Sequence, residues 1–151
     1  MASRASLIAR RRAAPVDTKL FKAACHPVAI RVGGSVSDFD AELLARSYYA
    51  CTLTTRRDHI SVLGNATYPL VGFVRAGQYG LRELSFLLCA EVGQAFAELT
   101  DFKPLDHDFL TAALTPQHLS ELAPSELGEI KHWPRRGTMD RVGDVVFNAW
   151  D

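Results

Sequence analysis

Asp106-His107-Asp108 is the most catalytic-looking triplet in the chain. Two carboxylates flanking an imidazole can orient it for general-base work. The same residues also suit the start of a helix, where aspartate complements the N-terminal dipole. Glu129 and His132 stand three apart on a predicted helix, with Glu126 one turn earlier. Glu-x-x-His units ligate di-iron bundles, but such sites need two units and two more carboxylates. One unit and no His-Glu-x-x-His gives no workable ligand spacing, so no metal and no cofactor is expected. Gly77-Gln78-Tyr79-Gly80 leads from a predicted strand toward a helix N-terminus, a place where anions bind. It lacks both the third glycine of a dinucleotide fingerprint and the Gly-Lys-Ser/Thr of a P-loop. There is no Gly-x-Ser-x-Gly elbow. Cys25 neighbours His26, but adjacency along the chain is not the spatial pairing a Cys–His nucleophile needs.

Residues suited to binding rather than chemistry are more prominent. Trp133-Pro134-Arg135-Arg136 combines the two residue types most enriched at interface hot spots. Phe147 and Trp150 follow, and their spacing predicts two aromatic anchors that hold the tail to the core. Arg56 and Arg57 fall in a polar break between two apolar runs, which predicts a basic loop tip. Arg10 to Arg12 add a second basic cluster near the N-terminus. Arginines of this kind can meet phosphates. The aromatic interleaving of a single-strand binder is missing.

The chain of 151 residues carries 17 Lys/Arg and 17 Asp/Glu, so its formal net charge is zero, but the balance is local. Residues 1–76 hold eleven basic and five acidic side chains (+6), and residues 77–151 hold six and twelve (−6). The acidic second half argues against a nucleic-acid wrap, and the asymmetry is of the kind that steers association with a partner. A 48% hydrophobic content is that of one ordinary globular domain rather than a disordered chain. Three separated cysteines with no CxxC and no secretory pattern predict a reducing, cytoplasmic setting.

These residues must be positioned by an α+β fold. A small antiparallel sheet of three to four strands is predicted, packed on one long buried helix, with a cluster of short helices after Pro104. Ile60–Leu63 and Tyr68–Val74 read as strands, with a break at Gly64-Asn65. Tyr49, Cys51 and Leu53 alternate with Thr52, Thr54 and Arg56, which predicts a strand with its threonine side toward water. Leu81, Leu84, Leu88, Val92, Ala95 and Leu99 recur at helical spacing and predict the buried helix over residues 81–99. Asp17 caps a short helix to Ala24 that His26-Pro27 should stop. Val28, Ile30 and Val32 then alternate as a small strand. Residues 38–46 fit helix and strand equally. Residues 1–16, with four arginines and no acid, predict a disordered basic arm ahead of a domain at 17–151. Charged residues interrupt every long apolar run, so no membrane span is expected.

The leading expectation is a small non-catalytic cytoplasmic protein of the immunity or antitoxin sort. It would bind another protein through Trp133, Arg135, Arg136, Arg56 and Arg57. Two other classes compete. One is a small enzyme with a site around Asp106, His107 and Asp108, helped by His59 or His132. The other is a nucleic-acid-associated protein using the basic first half.

Overall fold

The computed structural model describes residues 16–43, 47–66, 68–79, 84–111 and 146–147. Its described elements run α1 (Thr18–Arg31), β1 (Ser35–Asp40), β2 (Tyr48–Thr54), β3 (His59–Asn65), β4 (Leu70–Arg75), α2 (Ala90–Leu99), β5 (Lys103–Pro104) and α3 (His107–Thr111). The class is α+β, with one five-stranded sheet in the order β1-β2-β3-β4-β5. The first four strands form an antiparallel meander, and β5 returns through α2 to lie parallel to β4. The sheet is therefore mixed and wider than the three to four antiparallel strands expected.

α1 corrects the sequence reading most sharply. Asp17 caps it as expected, its carboxylate accepting from Leu20 N at 2.7 Å. The helix then runs straight through Pro27 to Arg31. Pro27 removes one ladder bond, a real cost. Continuing nonetheless buries Phe21, Ala24, Cys25, Val28 and Ala29, a helical stripe at i, i+3, i+4, i+7 and i+8. The Val28/Ile30/Val32 alternation is incidental, since Val28 is buried while Ile30 is 79% exposed. The end is a glycine-built stop. Gly33 sits at φ +73°, its N–H donates to Ile30 O, and Gly34 N–H reaches Ala29 O at 2.8 Å.

β1 runs over Ser35–Asp40, with the pairing to β2 shifted between Ser37 and Asp40; of the ambiguous residues 38–46 it makes 38–40 strand, leaves 41–43 in neither helix nor strand, and residues 44–46 lie outside the described residues. Asp38, at φ +55°, marks that bulge. β3 does not break at Gly64 but continues to Asn65. Glycine is required there because the Phe21 ring lies where a Cβ would go, 2.4 Å from its nearest atom. Asn65 then turns the chain, accepting from Tyr68 N and donating to Val146 O at 2.6 Å.

The long helix is shorter than predicted. Among the described residues of that stretch Ala90–Leu99 is helical, and residues 84–89 are not, with a strand-like bridge at Phe86; residues 81–83 lie outside the described residues. Leu87 N donates to Phe73 O at 2.8 Å, and Phe86 bridges Val74. The leucine spacing satisfies a helix template, but Leu84 and Phe86 are buried with Ser85 exposed between them, and Leu88 is 77% exposed. An extended path gives the far end of β4's edge hydrogen-bond partners it would otherwise lack.

Both sheet faces are covered. One carries α1 and α2 over Tyr49, Cys51, Leu53, Ile60, Val62, Val71 and Phe73. The other carries Leu84, Phe86, Leu105, Phe109, Leu110, Val146 and Phe147 over Tyr48, Ala50, Leu63, Leu70 and Val74. Thr52 is buried as a result, contrary to the water-facing side predicted for it. Val16 is buried too, hydrogen-bonded to Ala66 O and to the Tyr49 hydroxyl. Residues 1–15 and the predicted helices between 112 and 145 lie outside the described residues. No helix among the described residues is long and apolar enough to cross a membrane.

Candidate functional site

The triplet opens α3. Leu110 N donates to Asp106 O at 2.9 Å, and the Thr111 hydroxyl donates back to His107 O. His107 Nδ1 lies 3.5 Å from Asp108 Oδ1, at the limit of a contact, and the Asp108 side chain is fully exposed. An exposed pair at that distance supplies little orientation. Asp106 and His107 do line a cleft of about 210 Å³, together with Phe73, Leu88, Cys89 and Gln94. That volume is below the roughly 300–1,000 Å³ usual for small-molecule sites.

Cys89, which its apolar run suggests is a small core residue, is instead half-buried and lines this cleft. It precedes the first residue of α2, where the dipole would favour a thiolate. Its surroundings oppose that. Burial, and then the nearby Asp58 carboxylate, push the thiol up to about 11. No hydrogen bond links it to His107, so nucleophile and base are not assembled. A consequence can be measured. Alkylation of native Cys89 by iodoacetamide should be slow at pH 8 and gain about tenfold per pH unit to near pH 11, because only the thiolate reacts. A rate that levels off near pH 8.5 would show an ordinary, unburied thiol.

The other chemical candidates separate. Cys25 points inward while His26 is exposed, its ring 5.6 Å from that of Phe39. His59 Nδ1 meets the Thr54 hydroxyl at 3.0 Å and has no contact with the triplet. Among the described residues no three His, Cys, Asp or Glu side chains converge to hold a metal. Glu126, Glu129 and His132 lie outside the described residues, as do Trp133, Arg135, Arg136 and Trp150.

The basic tip, by contrast, lies among the described residues. Thr55 organises it: its N–H donates to Asp58 O at 2.8 Å, and its hydroxyl accepts from Arg57 N and Asp58 N. Arg56 and Arg57 thus ride on a hydrogen-bonded turn, both exposed. The register adds a residue that sequence reading missed. Ile60 pairs with Arg75, so the exposed Arg75 emerges at the same end of the sheet. Pairing the two predicted strands through the Gly64–Tyr68 turn would have found it. None of the three arginines is in an ion pair with a described residue. By contrast Arg31 meets Glu98 at 2.8 Å. Compared with protein-family models, curated proteins and solved structures, the chain has no match in any of the three.

Proposed function

We propose that this is a small non-catalytic cytoplasmic protein that acts by binding another protein, of the immunity or antitoxin sort. The observation that carries the reading is the β2–β3 tip. Arg56 and Arg57 are held outward on a fixed turn, with Arg75 beside them at the same sheet end and no described acid paired to any of them. Unpaired arginines on a rigid element can engage a partner without first breaking an internal bond, and little side-chain order is lost per contact. The partner that fits is acidic at the contact. The incomplete set at Asp106, His107 and Cys89 gives an enzyme reading no comparable support. Nucleic acid is the second reading, because the same arginines suit phosphates. No aromatic accompanies them in the turn for base stacking.

The test is a double charge reversal, Arg56→Glu with Arg57→Glu. Both side chains are exposed, so the melting temperature should stay within about 2 °C. Affinity for the protein retained from a native-host lysate should fall at least about 30-fold, the size of a 2 kcal/mol hot spot. The loss should shrink as salt rises. Unchanged binding by the folded variant would exclude the tip. Retention of duplex or single-stranded nucleic acid that the reversal abolishes would favour the second reading.

A further inference from the structure

Cys25 and Cys51, 26 positions apart in the chain, are brought together by the fold. Cys25 belongs to the inward stripe of α1, and Cys51 to the inward side of β2. The Cys51 thiol donates to the Cys25 sulfur at 3.5 Å, and the two residues are 1% and 2% exposed. Cys89 has no sulfur partner and lines the separate cleft. We propose that Cys25 and Cys51 are a dithiol that closes to a disulfide inside the folded protein, clamping α1 to the sheet. This assignment is independent of the reading of the basic tip.

The oxidant is a peroxide, hydrogen peroxide in the simplest case. One thiol loses its proton and its sulfur attacks a peroxide oxygen. The O–O bond breaks, hydroxide leaves and is protonated to water, and a sulfenic acid remains. The second sulfur, already in contact, attacks the sulfenic sulfur. The S–S bond forms, the S–O bond breaks, and the departing hydroxide takes the second thiol proton as another water. Two sulfurs give up two electrons, and one peroxide is reduced to two waters. An external thiol reverses the closure by exchange.

Contact favours the second step, and burial slows the first. The thiol–thiol hydrogen bond with Cys51, which holds the pair in its protonated form, and then burial push the Cys25 thiol far above its ordinary range, so thiolate is scarce. Access has a structural route. Pro27 has no N–H for the Ala23 carbonyl, which weakens the helical ladder beside Cys25. Local opening of α1 there admits a small oxidant. The pair is therefore expected to close slowly, under sustained oxidation rather than a brief pulse.

The experiment uses the full chain, reduced, freed of reductant and treated with hydrogen peroxide. It is then quenched, denatured, and alkylated with N-ethylmaleimide for intact mass and peptide mapping. Cys89→Ser is the cleaner substrate, because it should take two maleimides before oxidation and none after. The map should show a Cys25–Cys51 cross-link that dithiothreitol removes. The oxidised protein should melt about 5–10 °C higher, because the link restricts the unfolded chain. Cys51→Ala should block both the link and the shift. If that variant fails to fold, the Cys89→Ser map still decides. Two free thiols after a treatment that links the urea-unfolded chain would overturn the proposal. So would a cross-link to Cys89 in the wild type, or a melting temperature lowered by oxidation.

Discussion

Replacing Phe147 with alanine should lower the stability of the fold by about 3–5 kcal/mol, the range for deleting a buried aromatic. Phe147 is 1% exposed. Its ring lies edge-on to Tyr48 at 6.0 Å and tilted against Phe86 at 5.9 Å. It also sits where the backbone of β4 comes closest, since a Cβ on Gly72 would be 2.7 Å from it. Tyr48 and Gly72 belong to paired strands and cannot collapse into the space, so a cavity should remain. In a chain of this length the melting temperature should drop by about 10 °C or more. Phe147→Leu, which keeps much of the volume, should lose far less. Thermal and urea melts of the pair give the answer, and an alanine variant within about 1 kcal/mol of wild type would mean that Phe147 is not a staple of this core.

Gly64→Val should be strongly destabilising. The Phe21 ring already fills the Cβ position, with two ring carbons at 2.4 and 2.5 Å from it. Phe21 cannot swing aside freely, because Phe39, Tyr49 and Phe102 each hold it at ring distances of 6.0 to 6.3 Å. Overpacking of this kind costs about 1–3 kcal/mol and sometimes more. Here the displaced ring would also push α1 off the sheet, so the upper end is expected. The clash is pairwise. Phe21→Leu in the same chain should therefore restore part of the loss, a coupling that a double-mutant cycle reads directly. Additive losses from the two changes would show that position 64 is sensitive for some other reason.

How much of this was legible in the sequence depended on whether one periodicity competed with another. β2, β3 and β4 were readable because their β-branched and aromatic runs have no helical counterpart. The 28–32 segment satisfied a strand template over five residues. Only a longer window, reaching back to Phe21, shows the helical stripe that decided it. Residues 84–89 failed in the opposite direction. Their leucines match a helix, and the competing demand was the open edge of β4, which is a tertiary fact. The Arg56-Arg57 tip was legible because polar residues between two apolar strands have few places to go. Arg75 beside it, and the Cys25–Cys51 contact, depend on register and on which face of α1 meets the sheet. Neither is written in spacing alone. At Asp106-His107-Asp108 the sequence placed the three groups together but could not give their geometry: Asp106 and His107 share a cleft, while the fully exposed Asp108 meets His107 only at 3.5 Å.

The covering of the sheet's second face has a consequence for how the protein is made. Asn65 and Ser47 hydrogen-bond the Val146 carbonyl across 81 and 99 positions of chain. The meander, by contrast, pairs neighbours and can form as soon as it leaves the ribosome. At about 5–20 residues per second, synthesis leaves a pause of a few seconds between Leu110 and Phe147. During it Tyr48, Leu63, Leu70 and Val74 have only part of their cover. Slow codons within this interval would prolong the exposure without changing a single residue of the finished protein.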